Sequence, residues 1–383
     1  MQACRVDVRS VFREKVKLAS KLREALREDE VRSAESDWHA RRAPIPCGMT
    51  IHTGVGCSYG CAYCYIYDMG FTSKPRPYPL TGLQLVYALA VNPYFVPGPQ
   101  GTLLAFGSVT EPFMSETFSR AIEYLRATRD YLGNPQQIST KTALKGERLE
   151  EFIRSVDPKI DVLVSMTTIS MWRKLEPGAS SPEDRFEFMR QLSSKGIHVT
   201  LFLRPIIPGV TDREMERIIA KAADAGVKAV VPGTLRVTWR IVRRLRATGV
   251  VDMAELESRI VRMPSKRGEQ VPIRGADLKR RAEKIAREYG LKVLPASCSA
   301  NIASHSQACA ACNMGPCGDL DMLPEVDEND VAWLLENLGL KPLKIEVGKT
   351  RIYAVARGPK HRVKVASHWI IGLTRRKPVI KLS

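Results

Sequence analysis

Apolar positions recur in two rhythms along this chain. Short continuous or alternating runs at Met49–Val55, Thr102–Phe106, Gln137–Thr140, Asp161–Met166, Ile197–Leu203, Val227–Val231 and Leu291–Pro295 predict β-strands. Between them, apolar residues return every three or four positions. That spacing predicts helices over Thr81–Val91, Ser115–Leu132, Gly146–Ser155, Pro182–Lys195, Thr211–Ala225, Thr238–Thr248, Asp252–Val261 and Gly275–Tyr289. Strand–helix alternation with short apolar strands predicts an α/β fold with a parallel sheet, in the form of a partial or complete β/α barrel. Such barrels collect their chemistry at the C-terminal ends of the strands.

The flanks differ. Residues 1–42 mix acids and bases around Val11, Phe12, Val16, Leu18 and Leu22, which predicts a charged helical lead-in ended by Pro44 and Pro46. Near the other end, Ile345–Val347, Arg351–Ala356 and Arg362–Trp369 read as short strands with turns at Gly348 and Gly358-Pro359. Four segments follow: a lead-in over 1–46, the β/α barrel over 47–296, a cysteine-rich segment over 297–340 and a small basic β module over 341–383. The alternative for the last segment is an extension that completes the barrel's sheet.

Charge changes this picture at two places. The formal net charge is +18, and Lys341–Ser383 holds 12 Lys or Arg against one acid, Glu346. A second basic stretch carries Arg240, Arg243, Arg244, Arg246, Lys279, Arg280 and Arg281. Localised positive charge of this kind attracts polyanions, so a nucleic acid, RNA or DNA, is an expected partner. Tyr65, Tyr67 and Trp369 are candidates for stacking on bases, with core packing as the alternative. Met1–Leu18 is charged and lacks an apolar core, and no apolar run is long enough for a membrane span. A reducing cytoplasm is therefore expected. Abundant Arg, Lys and Glu with scarce Asn and Gln lean toward a heat-adapted source.

Seven of the nine cysteines fall in two groups, as metal ligands do and secreted disulfide frameworks do not. Cys57, Cys61 and Cys64 have the spacing C-x3-C-x2-C just after the first predicted strand. Three thiolates this close suit three irons of one [4Fe–4S] cube and leave the fourth iron open to bind a substrate or cofactor. A zinc site completed by His52 is the alternative, though zinc prefers four closed ligands, usually as two pairs. Cys298, Cys309, Cys312 and Cys317 follow the last predicted strand with the spacing C-x10-C-x2-C-x4-C. They suit a second [4Fe–4S] cluster or a structural zinc, with His305 as a further possible ligand. Cys4 and Cys47 read as ordinary buried thiols.

With Tyr63 before its third cysteine, the first group resembles the radical S-adenosylmethionine (radical SAM) superfamily. The resemblance implies a partial (β/α)6-type barrel. It also implies an open iron that chelates the cofactor's methionine amine and carboxylate, and reductive cleavage to a 5′-deoxyadenosyl radical that abstracts hydrogen from a substrate. A narrower resemblance, over about residues 47–240, is to the spore photoproduct lyase and "DNA repair photolyase-like" branch. It rests on Thr110-Glu111-Pro112-Phe113, Glu116, Ser139-Thr140-Lys141, Val164-Ser165-Met166-Thr167-Thr168, Leu175 to Pro182, Arg185 and Arg204-Pro205-Ile206-Ile207-Pro208-Gly209.

By this resemblance Tyr63 lies against the adenine and Gly107 and Ser108 present backbone groups to the methionine amine. Lys141 pairs with the carboxylate, Ser165 bonds the ribose, and Arg204 reaches the cofactor carboxylate or a substrate phosphate. Glu176 and Arg185 read as a buried ion pair that fixes a loop. An electron donor such as ferredoxin or flavodoxin is implied as a partner. One departure matters. Spore photoproduct lyase uses a strand-2 cysteine as hydrogen donor, whereas this chain has no cysteine between Cys64 and Cys298, and Val109 stands near that place. Repair of thymine photoproducts is therefore not implied. The expected substrate is RNA (tRNA included) or DNA. A peptide or small metabolite is the alternative, and a non-catalytic, metal-stabilised nucleic-acid-binding protein is the alternative of another class.

Overall fold

A computed structural model describes residues 5–45 and 48–383; Cys4, Pro46 and Cys47, and with them the predicted boundary at 46/47, lie outside the described residues. Seven strands form the central sheet: β1 (Gly48–Ile51), β2 (Leu103–Phe106), β3 (Gln136–Thr140), β4 (Asp161–Ser165), β5 (His198–Ile206), β6 (Ala229–Thr234) and β7 (Lys292–Val293). They lie in chain order and every neighbouring pair is parallel. Each crossover therefore steps the same way and the sheet curls, but β1 and β7 do not pair, so the barrel is partial.

The strands form where the sequence offers uninterrupted apolar character. All five residues of β4 are buried, as a strand covered on both faces requires. The crossover helices bury one stripe. Gly146–Ser155 buries Leu149, Phe152 and Ser155, three residues apart. Local signals fix their starts: Thr81 and Gln84 form a capping box before Gly82–Val91, and the Ser181 hydroxyl accepts from Asp184 N with Pro182 in the first turn. The predicted strand Met49–Val55 is split. β1 ends at Ile51, and Gly54–Val55 turns away to pair with Arg76–Pro77.

Alternate strand residues face the barrel interior. At its lower end, Leu163, Phe202, Ala229 and Val231 pack on Ala300 of the helix Ser297–Ser304. Asp161 accepts from Gln137 Nε2 at 2.6 Å and from Thr200 Oγ1 at 2.7 Å, and Gln137 Nε2 also donates to the Ser297 carbonyl at 2.8 Å. The helix thus forms a floor, and the interior stays open above it.

The C-terminal segment corrects one expectation. Strands β8 (Lys341–Val347) and β9 (Arg351–Arg357) pair antiparallel, but predicted strand Arg362–Trp369 lies within the helix Lys360–Thr374. Its alternation at Val363 and Val365 is strand-like, yet Val365, Ala366, Trp369, Ile370 and Leu373 continue at helical spacing and are buried. An unpredicted strand, β10 (Lys377–Leu382), then adds in parallel to β9. Trp369 is core, not a stacking platform.

This core is shared with Val6 and Val8 of the lead-in and with Val96. Trp369 Nε1 donates to the Pro93 carbonyl at 3.0 Å and Arg375 Nη2 to the Gly101 carbonyl at 2.6 Å. The basic segment therefore sits against the loop that enters β2, at the N-terminal ends of the strands. On the lead-in helix Val8–Ala25, Val16 is exposed and Lys15 is buried instead. Lys15 Nζ donates to the carbonyls of Asn92 and Phe95 at 2.5 and 2.6 Å. Burial pulls the Lys15 pKa down to about 7.

Candidate active site

At the opposite end, the segments that follow the strands surround a cavity of about 360 Å³, within the size range of small-molecule sites. Cys57, Cys61 and Cys64 line it, and so do Tyr63, Gly107, Ser108, Lys141, Ser165 and Arg204. One wall therefore carries three free thiols and Tyr63, and the others carry the remaining residues predicted to touch the organic cofactor.

The cysteine loop is tied on several sides. Cys57 N bonds the Thr72 carbonyl at 3.1 Å, Ala62 N the Leu175 carbonyl at 2.9 Å, and Gly178 N the Tyr59 carbonyl at 3.0 Å. Gly178 is required there, because a Cβ would stand 2.6 Å from Tyr59 Cα. The Tyr67 hydroxyl donates to the Cys57 carbonyl at 2.9 Å, and Arg244 Nη2 donates to the Cys64 carbonyl. On the facing loop, Gly107 has φ +82°, and a Cβ would fall 2.2 Å from the Ser139 carbonyl oxygen. The close approach and the left-handed backbone both demand glycine.

Behind the loop lies a buried polar network. Arg185 Nη2 meets Glu176 Oε2 at 2.7 Å with both side chains fully buried, so the predicted ion pair is present. Arg185 Nη1 also donates to the Ser165 carbonyl at 2.7 Å. The Tyr63 hydroxyl donates to Glu176 Oε1 and accepts from Thr167. Burial works against the Glu176 charge, but Arg185, Lys141 and the hydrogen bonds outweigh it and hold the carboxyl below its ordinary value.

Lys141 Nζ stands 5.7 Å from the Tyr63 ring centroid. Burial lowers its affinity for a proton, while Cys61 and Glu176 more than offset this, so its pKa is raised. Glu111 Oε1 accepts from Thr140 Oγ1 at 2.6 Å and Oε2 from Lys141 N at 2.9 Å, and burial pushes this carboxyl up.

The donor set suits an iron–sulfur cube with one open iron: three thiols from one loop facing a shared space. Burial raises the Cys57 and Cys61 thiols, so loading iron releases their protons. His52, the alternative ligand, points elsewhere. Its ring stacks on Tyr78 at 5.9 Å and packs against His39.

The second cysteine group lies beyond the barrel floor. Cys309 and Cys317 exchange two backbone hydrogen bonds of 2.8 Å, and Cys298 and Cys317 pack around Cys309, Leu103 and Ile371. Burial, with Cys309 and Cys312 nearby, pushes the Cys317 thiol up to about 11. His305 instead bonds the Asn301 carbonyl through Nδ1 at 2.9 Å. Among the described residues, no three His, Cys, Asp or Glu side chains converge on a single-ion position, in either group.

Sequence reasoning missed Tyr59, Arg236 and Gln270 on the cavity wall and Arg244 behind it. Tyr59 lay within the motif and was legible as an aromatic beside a ligand. Arg244 bonds a residue 180 positions away, and no local signal reports that.

Comparison with known proteins agrees with this geometry. The model of the Radical SAM superfamily matches residues 51–222. A curated relative, "Radical SAM Nalpha-GlyT isomerase" of Pseudomonas phage M6, is 25% identical over 181 residues, covering 46% of this chain. The match spans 36% of that relative, about a third of its length. A solved structure of a spore photoproduct lyase double mutant, with bound AdoMet and dinucleoside spore photoproduct, superposes with TM-score 0.51. It is 19% identical and covers 64% of this chain and 75% of that one, a likeness of fold. No helix among the described residues is long and apolar enough to cross a membrane. A superfamily match over residues 51–222 and three cysteines on the cavity wall lead to one conclusion: residues 51–222 carry a radical SAM domain, of the superfamily whose enzymes use a [4Fe–4S] cluster and S-adenosylmethionine.

Proposed function

We propose that this chain modifies a nucleic acid by hydrogen abstraction in the cavity described above. Cys57, Cys61 and Cys64 would hold the cluster, and Tyr63, Gly107, Ser108, Lys141 and Ser165 the S-adenosylmethionine. Of its two expected roles, Arg204 would take contact with a substrate phosphate. Bound there, the two groups supply one electron and a carbon-centred radical. The chain's own residues keep the reaction dry and oriented. Tyr63, Phe106 and Leu163 exclude water from the wall, and Lys141 offers an ammonium to a carboxylate.

The observation that carries the substrate reading is the charge of the cavity mouth. Arg204 and Arg236 are exposed there, and Glu111, the acid on the wall, is buried below them. Two guanidiniums at a mouth of this size suit the phosphates flanking a single base. That base would enter from a single strand or after leaving its stack. The basic C-terminal segment lies at the other end of the barrel, so it would act only as a second anchor on a long strand.

We also keep iron–sulfur as the reading for Cys298, Cys309, Cys312 and Cys317. A single C-x2-C pair with a wide first gap, rather than the two paired knuckles usual for zinc, favours that reading.

The test is anaerobic reconstitution followed by assay of 5′-deoxyadenosine release on chemical reduction. Single-stranded RNA and DNA of two lengths are then bound to the wild type, to Arg204→Gln/Arg236→Gln and to Lys344→Glu/Lys349→Glu. A loss for the mouth variant at both lengths, and for the tail variant only with the longer strand, is expected. Unchanged binding by the mouth variant at low salt refutes the substrate reading, because phosphate contacts dominate there.

A further inference from the structure

Behind the cysteine loop lies a second hollow, of about 390 Å³, lined by Tyr67, Arg240, Arg243, Arg244 and Ala247. It shares no lining residue with the first cavity. Its wall is nevertheless bonded to the cysteine loop itself. The Tyr67 hydroxyl donates to the Cys57 carbonyl at 2.9 Å, Arg244 donates to the Cys64 carbonyl, and the Arg244 guanidinium lies 5.4 Å from the Tyr67 ring centroid.

The hollow is strongly positive. The helix Trp239–Thr248 carries four arginines and no acid. Arg246 is paired with Glu257. Arg240 and Arg244 share one carboxylate, Asp68, at 3.7 and 3.8 Å, and its side chain is only 2% exposed. Asp68 also accepts from the Thr238 hydroxyl at 2.8 Å. Arg243 is exposed and has no ion-pair or hydrogen-bond partner among the described residues. Three guanidiniums thus line the hollow, and the one buried acid beside them meets only two. Two large exposed apolar side chains, Met69 and Trp239, belong to the same two segments.

We propose that this hollow is the docking surface for an acidic one-electron carrier protein that reduces the cluster through the back of the Cys57–Cys64 loop. The inference rests on the radical SAM reading of the first cavity. The transfer balances simply: the reduced carrier loses one electron, the cluster gains it, and no bond or proton moves. A carrier is favoured over a nucleic acid because the hollow's wall is bonded to the ligand loop and shares no lining residue with the cavity where a base would react. Its few charged residues match the small, polar and electrostatically steered contacts of redox encounters. With separate walls, substrate and carrier can be bound together.

The test uses the reconstituted full chain and two variants, Arg243→Glu and Arg240→Gln/Arg243→Glu, leaving Arg244 on its carbonyl. Release of 5′-deoxyadenosine is measured with dithionite, with reduced methyl viologen and with a reduced, acidic flavodoxin. With dithionite, both variants should work within about twofold of wild type, which shows that cluster and fold are intact. With flavodoxin at low salt, the apparent KM should rise about tenfold for the double variant, and the gap should close at high salt. The cationic viologen should show no such rise. Equal flavodoxin KM in variant and wild type overturns the proposal. So does loss of single-strand binding with the flavodoxin KM unchanged, which would assign the hollow to a polyanion. If dithionite yields no 5′-deoxyadenosine from wild type, the radical SAM reading itself fails, and the proposal with it.

Discussion

Replacing Arg185 by Met tests whether the buried pair behind the cysteine loop holds the site together. The methionine fills much of the same volume but deletes the 2.7 Å contact to Glu176 and the 2.7 Å hydrogen bond to the Ser165 carbonyl. Both side chains of the pair are fully buried, so the carboxylate left behind cannot be rescued by water. Stranding one partner of such a pair costs about 3–5 kcal/mol, and the orphaned carbonyl adds about 1 kcal/mol. Tyr63 and Lys141 still face Glu176, which puts the expected loss at the lower end, about 4 kcal/mol. Glu176→Gln/Arg185→Met removes the charge altogether and should lose only about 1–2 kcal/mol. The assay is urea unfolding of the metal-free, reduced protein under anaerobic conditions, comparing midpoints at constant slope. A loss below about 1 kcal/mol for the single variant, or a double variant no more stable than the single, refutes the argument.

Other substitutions test other parts. Cys61→Ala should abolish 5′-deoxyadenosine release, whereas Cys312→Ala should lower iron from about eight to about four per chain; equal iron in Cys312→Ala and wild type removes the second cluster. Gly107→Ala places a Cβ 2.2 Å from the Ser139 carbonyl oxygen at φ +82°, so S-adenosylmethionine affinity, read by equilibrium dialysis, should fall at least about tenfold. Unchanged affinity would mean that this turn does not touch the cofactor. Lys15→Met tests the buried amine, whose pKa is pulled down to about 7. Between that value and the unfolded value near 10.4, the unfolded chain binds the extra proton, so Lys15 makes wild-type stability rise with pH in this window. The variant should therefore gain most over wild type at pH 7 and progressively less toward pH 9, by about 1.4 kcal/mol per unit at most; a pH-independent difference refutes the assignment.

The sheet was legible because its strands are written as uninterrupted apolar runs, as in Asp161–Ser165, and the ligand loop because C-x3-C-x2-C is local. What stayed hidden depends on distant partners. Lys15 looks like part of a charged helix face until the carbonyls of Asn92 and Phe95 are brought to it. The helix Ser297–Ser304 has small, mixed residues and weak periodicity, yet it floors the barrel through Ala300 and Asn301. Arg362–Trp369 alternates only at Val363 and Val365, and so short an alternation does not separate a strand from the start of a buried helix.

The largest correction concerns where the charge acts. In the sequence, the basic tail was the leading sign of a polyanionic partner, and it was joined to the reactive site only by being in the same chain. The fold separates three positive groups: Arg204 and Arg236 at the mouth, Arg240, Arg243 and Arg244 behind the ligand loop, and the tail against the loop entering β2. The mouth and the hollow share no lining residue, and the tail packs at the N-terminal ends of the strands. Only the mouth can orient a group beside the cysteines; the tail can raise the affinity of a strand long enough to reach it, but it cannot select the atom that reacts. Selectivity must then come from the residues of the cavity wall, where Val109 presents a hydrocarbon.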